Sequence, residues 1–102
     1  MSPDTPASDA ADQQVRLTAF VHGRVQGVGF RWWTRARALE LGLVGYAANQ
    51  QDGRVRVVAE GPAHSVHQLV ALLRSGTTPG RVDLVVDSED APRGDLSGFV
   101  EK

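Results

Sequence analysis

The stretch GRVQGVGFR, residues 23–31, contains three glycines and two arginines within nine residues. Glycine has no Cβ, so several backbone N–H groups in such a stretch can turn toward one point, where a ligand can approach closely. Two guanidinium groups and the start of a helix beside these N–H groups favour an anion, most naturally phosphate. Because short glycine motifs are weak signals, a plain strand-to-helix turn with two solvated arginines is an equal alternative at this point.

Composition bounds what kind of protein this stretch belongs to. At 102 residues, with 41% hydrophobic and 23% charged residues, the chain fits one globular domain. The absence of cysteine excludes a disulfide framework, a thiolate nucleophile and a cysteine-ligated metal. No apolar run approaches the roughly 20 residues that span a bilayer, and the N-terminus lacks the basic and hydrophobic regions of a secretory signal. We therefore expect a cytoplasmic protein without a membrane partner. We also expect a monomer.

The formal net charge of −1 hides an asymmetry. Residues 1–14 contain three aspartates and no basic residue, so residues 15–102 hold 11 basic and 9 acidic residues, a formal +2. Four arginines and no acidic residue lie between positions 23 and 39. This local positive charge suits one small anionic ligand better than a nucleic acid, which needs a wide basic face.

Hydrophobic periodicity predicts the elements around the glycine stretch. Residues 1–14 have no apolar period and are predicted to be a disordered tail, leaving one domain at residues 15–102. A strand is expected at 15–22 and a helix at 30–41. The predicted inner stripe of this helix is Phe30, Trp33, Thr34, Ala38 and Leu41.

The second half of the chain continues with strands at 43–50 and 54–60, joined by a hairpin turn at 51–53. A second helix is predicted between Pro62 and Gly76, with Val66, Leu69, Val70 and Leu73 on its inner face. A strand follows at 82–87, and a short fifth strand is possible at 98–100. The order βαββαβ predicts an α+β, ferredoxin-like two-layer sandwich, with an antiparallel sheet covered by two helices on one face.

Two motifs in this chain resemble those of the acylphosphatases. Residues 22–31, HGRVQGVGFR, are similar to the family's long first signature, and residues 45–49, GYAAN, are similar to its second. Element order and length also agree from about residue 15 to the last residue. The family commonly has Lys or Arg immediately before the asparagine, where this chain has Ala48. That departure affects only a peripheral part of the electrostatic field.

The resemblance implies hydrolysis of small acyl phosphates to a carboxylate and inorganic phosphate, without a cofactor or metal. By matched position, Arg31 is the phosphate-binding catalytic arginine and Asn49 orients the attacking water. The phosphate-binding loop then consists of Gly23, Arg24, Val25, Gln26, Gly27, Val28, Gly29 and Phe30. For Arg24, a supporting or exposed charge is favoured over a catalytic role.

The chemistry of the two motifs agrees with this reading. Neither contains Asp, Glu, Cys or Ser. An acyl phosphate loses a carboxylate of low pKa, so its hydrolysis needs neither a general acid nor a metal. What remains is to stabilise charge on the phosphoryl group and to hold a water in line, for which arginine, backbone N–H groups and a neutral amide suffice.

Two other classes of protein fit the same element order. One is a domain like that at the start of hydrogenase-maturation carbamoyl-transfer proteins; the end of this chain at Lys102 argues against it, because nothing follows to receive a carbamoyl phosphate. The other is an RNA-binding ferredoxin-like module, which presents aromatic side chains from its central strands. Here only Phe20 is expected on the outward face of the inner strands, so no nucleic-acid partner is predicted.

Overall fold

The computed structural model describes residues 13–102, so the predicted disordered tail lies almost wholly outside the described residues. The elements are β1 (Gln14–Arg24), α1 (Phe30–Glu40), β2 (Val44–Asn49), β3 (Val55–Pro62), α2 (Ala63–Leu73), β4 (Arg81–Asp90) and β5 (Phe99–Glu101). Every predicted helix and strand is present. The largest boundary difference is in β4, which runs to Asp90, three residues beyond its predicted end.

The five strands form one sheet in the order β4-β1-β3-β2-β5. The β1–β3, β1–β4 and β2–β3 pairs are antiparallel, as expected for a ferredoxin-like sheet. β5 joins β2 in parallel, so the complete sheet is mixed. The connection from β4 crosses the sheet at the end where β4 stops, so β5 runs opposite to β4 and in the same direction as β2.

The core lies between the sheet and the two helices. In α1, Phe30, Thr34 and Ala38 are buried. Trp33 of the helix and its C-cap residue Leu41 are partly buried against the core, as the inner stripe predicted. The predicted inner face of α2 is buried throughout. The sheet contributes every second residue of its central strands to this core: Leu17, Ala19, Val21, Val55, Val57 and Ala59.

An irregularity in β4 determines which of its valines enter the core. The pairing register between β1 and β4 shifts between His22 and Gly23, so that His22 pairs with Leu84 and Gly23 with Val82. One extra residue on β4 therefore changes the alternation of its side chains. Val82 and Val85 pack toward the core, whereas Leu84 and Val86, on the opposite face, are about half exposed.

Strand direction brings several chain segments together at one edge of the sheet, here meaning the edge formed by the ends of the strands. β1, β2 and β5 all end at this edge, since β1 and β2 are both antiparallel to β3 and β5 is parallel to β2. The loop after β1, the turn between β2 and β3, and the last residue of the chain therefore meet there. α1 begins above the same edge.

Candidate functional site

The predicted phosphate-binding residues 23–30 span the end of β1, the connection after it and the first residue of α1. Gly23 and Arg24 are the last residues of β1 and pair with β4. Residues 25–29 form the connection itself, in which the Val25 side chain is buried in the core. Gly27 and Gly29 have φ values of 75° and 83°, a region that is unfavourable for residues with a Cβ. The glycines therefore give this loop its path from β1 into α1.

The N-terminus of α1 is open to a ligand. Gly29 is its N-cap residue, no side chain of the described residues caps it, and its first turn contains no acidic residue. The first N–H groups of a helix have no partner within the helix and carry partial positive charge. A helix N-terminus that no described side chain caps, next to an exposed glycine loop, favours an anion.

The main-chain oxygen of Lys102 joins the two predicted catalytic residues. Nη1 of Arg31 donates to this oxygen at 2.7 Å, and the backbone N–H of Asn49 donates to it at 3.0 Å. Arg31 in the first turn of α1 and Asn49 at the end of β2 are thus held on either side of one acceptor. The carboxamide of Asn49 is exposed and has no hydrogen-bond partner among residues 13–102.

Two contacts in this region were missed by sequence reasoning. Lys102 acts through its main chain, and only the parallel pairing of β5 with β2 brings it here, so no side-chain pattern indicates it. Gln26 was counted only as a loop residue, yet its Nε2 donates to the carbonyls of Gln50 at 2.7 Å and Arg54 at 3.0 Å. The site is therefore a loop, a helix start, a turn and a chain end in mutual contact.

A basic residue of the neighbouring strand lies opposite position 48, where the family commonly has Lys or Arg. Ala48 pairs directly with Arg56 on β3, and directly opposed residues in an antiparallel pair share a face of the sheet. The Arg56 guanidinium donates to the hydroxyl of Tyr46 and lies over its ring. A cation therefore lies beside position 48, on the strand next to the one that carries Asn49.

The open face of the sheet does not present free aromatic rings. Only Phe20 was predicted on this face of the inner strands. Because β5 pairs with β2, β2 is also an inner strand, and it adds Tyr46 to the same face. The guanidinium carbon of Arg54 lies 4.6 Å from the centre of the Phe20 ring, and Nζ of Lys102 lies 4.2 Å from that of Tyr46. Because cations cover both rings, the face differs from a base-stacking platform.

One acidic side chain lies in the turn between β2 and β3. Asp52, in the β2–β3 turn, accepts hydrogen bonds from the backbone N–H and the guanidinium of Arg54, and these contacts hold its pKa below the usual value. Asp52 is therefore a carboxylate at neutral pH, already paired with Arg54. Within residues 13–102, no group of three or more His, Asp or Glu side chains is arranged to hold a metal ion. In the same range, no helix is long and apolar enough to cross a membrane.

Fold and site together define a small two-layer α+β domain with a glycine-rich loop and, within residues 13–102, an uncapped helix start at one end of its sheet. The family model for acylphosphatase matches residues 17–100. An acylphosphatase of Rhodococcus jostii (strain RHA1) is 74% identical over 87 residues, which cover 85% of this chain and 98% of that protein. The chain belongs to the acylphosphatase family, and the activity of that family is the hydrolysis of acyl phosphates.

Solved structures support the same conclusion. The crystal structure of acylphosphatase from Bacillus subtilis superimposes with a TM-score of 0.80 at 31% identity, covering 86% of this chain and 98% of that one. Full-length HypF, in a phosphate- and nucleotide-bound form, also gives 0.80, but at 21% identity and over only 12% of that chain. The likeness to HypF shows the shared fold alone.

Proposed function

We propose that Arg31 and the N–H groups of residues 25–30 bind the phosphoryl group of a small acyl phosphate, and that Asn49 orients the attacking water. The observation that carries the proposal is the shared acceptor: Arg31 Nη1 and the Asn49 N–H both donate to the Lys102 oxygen. A phosphoryl group held between the glycine loop and Arg31 then lies close to the end of β2, where Asn49 is exposed.

Arg31 supplies fixed positive charge. A guanidinium has five N–H donors, and the Lys102 oxygen takes one of Arg31's. The planar fork matches two phosphoryl oxygens, and the adjacent N–H groups of α1 add donors that need no rearrangement. Charge that grows on the phosphoryl oxygens during transfer meets donors already in place.

Asn49 supplies orientation rather than basicity. Its carboxamide oxygen accepts a hydrogen bond from water, and its NH₂ group donates one, so a water beside it has a defined direction. The amide is too weak a base to remove the proton fully. Water attacks phosphorus, the bond from phosphorus to the acyl oxygen breaks, and the carboxylate leaves with the electron pair. The water proton goes to a phosphate oxygen or to solvent.

The leaving group explains why so few groups are required. A carboxylate leaves without protonation, so the site needs no general acid, and we propose that the reaction proceeds without a metal or other cofactor. A phosphomonoester would have to expel an alkoxide, for which neither Arg31 nor Asn49 provides a proton. We accordingly propose small acyl phosphates as substrates, with inorganic phosphate as product, for a monomeric cytoplasmic enzyme.

The test is a comparison of Arg31→Ala, Arg31→Lys and Asn49→Ala by phosphate release from acetyl phosphate, with and without EDTA. Arg31→Ala should lose nearly all activity and bind inorganic phosphate weakly, and lysine should restore little because it lacks the planar fork. Asn49→Ala should lower kcat by roughly 100-fold while phosphate affinity changes little.

Circular dichroism serves as the folding control, since neither side chain belongs to the core. Near-wild-type kcat in Asn49→Ala, or equal loss of phosphate affinity in both alanine variants, would contradict the division of roles. Loss of wild-type activity in EDTA, restored by a divalent ion, would contradict the metal-free mechanism.

A further inference from the structure

The side chain of Gln26 reaches from the glycine loop to the β2–β3 turn. Its Nε2 has two hydrogens, and the carbonyls of Gln50 and Arg54 lie 2.7 Å and 3.0 Å from this nitrogen. Both donors of the amide are thus used on one target. Gln26 is half-buried, so the contact is shielded from water on part of its surface.

The two acceptors close the turn that follows Asn49. The N–H of Gln50 donates to the carbonyl of Arg54 at 2.8 Å, and the N–H of Gly53 donates back to Gln50 at 3.2 Å. Gln50 comes directly after Asn49, the last residue of β2. A group bound to both ends of this turn therefore fixes the position of Asn49 relative to the glycine loop.

We propose that Gln26 is a positioning residue, whose carboxamide sets the separation between the phosphate-binding loop and the water-orienting Asn49. The proposal rests on the function proposed above, since it assigns phosphate to the loop and water to Asn49. In-line attack depends on this separation, and a displacement of about 1 Å between reacting groups is enough to cost on the order of 100-fold in rate.

The remaining contacts at the site show why this connection matters. On one side, Arg31 and Asn49 share the Lys102 oxygen, which ties the start of α1 to the end of β2. On the other side, Gln26 ties the loop itself to the turn. Without Gln26, the two side-chain hydrogen bonds between loop and turn are lost. The positive φ values of Gly27 and Gly29 still determine the path of the loop that carries the N–H donors of residues 25–30.

Two substitutions test this role. Gln26→Met leaves an uncharged side chain of similar length and removes both hydrogen-bond donors. We expect kcat for acetyl phosphate to fall about tenfold or more while the Kd for inorganic phosphate stays within about threefold. In Gln26→Glu, an ionised carboxylate would face two carbonyl oxygens, but the protonated acid can donate to one of them.

The pH profile separates positioning from mere packing. The kcat of Gln26→Glu, divided by that of the wild type, should rise as pH falls from 7 to 5, whereas the same ratio for Gln26→Met should stay flat. The charged neighbours are Arg24 at the end of β1, Arg31 in the first turn of α1 and the Asp52–Arg54 pair of the turn. They are present in all three proteins, so their own effect on kcat cancels in the ratio, and the only group that differs is the introduced carboxyl. Gln51→Met and Gln51→Glu make the same changes at an exposed residue of the same turn and should stay near wild type.

Wild-type turnover and phosphate affinity, measured in the same assays, test the proposed function itself; an inactive wild type would overturn both proposals. With an active wild type, unchanged kcat in Gln26→Met would overturn the positioning role alone. A parallel loss of kcat and phosphate affinity would also overturn the positioning role, because Gln26 would then only maintain the phosphate-binding loop. A flat ratio for Gln26→Glu would show that hydrogen-bond donation is not what the site requires.

Discussion

Gly23 and Gly27 both adopt a positive φ, but their surroundings differ. Gly23, at φ 139°, would place a Cβ only 2.1 Å from the main-chain oxygen of Arg81. Gly27, at φ 75°, would place it in open space. Glycine is therefore required at position 23 by the close approach of β4, and at position 27 by backbone conformation alone.

Alanine substitutions should separate these two requirements. Gly27→Ala carries the cost of a left-handed residue, about 1–2 kcal/mol. Gly23→Ala adds a backbone clash that moves β4, so we expect about 2–4 kcal/mol. Urea unfolding followed by fluorescence measures both, and equal destabilisation of the two variants would contradict the steric account.

At the scale of elements, the connection between β4 and β5 depends on one buried ion pair. It leads from the edge strand β4 to the opposite edge strand β5, across four strand spacings or about 19 Å. Glu60 on β3 holds it midway, accepting the N–H groups of Arg93 at 3.0 Å and Gly94 at 3.2 Å. The same carboxylate pairs with Arg16 at 2.6 Å, and both side chains are buried.

Glu60→Gln should destabilise the protein by about 3 kcal/mol at neutral pH, because among residues 13–102 it leaves Asp95, at 3.5 Å, as the only carboxylate paired with the buried Arg16 guanidinium. Burial by itself raises the pKa of Glu60, but the Arg93 N–H, the Arg16 guanidinium and the Gly94 N–H outweigh it and lower the pKa. The ionised group therefore stabilises the fold above its unfolded pKa of about 4.3, and this contribution is lost as pH falls through the lower folded value.

Thermal unfolding between pH 3 and 7 measures the difference in stability between the wild type and Glu60→Gln. This difference should be constant near neutrality and become smaller below about pH 4. The exposed Arg37–Glu40 pair provides the control, since Glu40→Gln should cost under about 1 kcal/mol. A Glu60→Gln variant as stable as Glu40→Gln would contradict the anchoring role.

Periodicity was sufficient to predict the helices and central strands, because Phe30, Thr34 and Ala38, or Leu17, Ala19 and Val21, repeat at the spacing of their elements. It did not predict which face of β4 is buried, because the extra residue at the register shift alters the alternation. The motif residues Arg31 and Asn49 could be selected from the sequence. Their common acceptor could not, since Lys102 acts through its main chain and reaches the site only by long-range strand pairing.

At the scale of the whole molecule, charge and topology converge on one edge of the sheet. The net charge of the chain is −1, yet positions 23–39 contain four arginines and no acidic residue. Acidic residues lie instead along β4, where Asp83 and Asp87 pair with Arg81 and Arg74. This local excess of arginine at the end of β1 and along α1 favours capture of a small anion there.

The central claim is that this edge binds the phosphoryl group, and the most direct measurement is a phosphate titration of the wild type followed by amide proton–nitrogen NMR. We predict saturable shifts concentrated in the backbone amides of residues 25–31, absent with chloride at equal ionic strength and strongly weakened in Arg31→Ala. Shifts that do not saturate, or that centre on other arginines such as Arg81 or Arg93, would contradict the account.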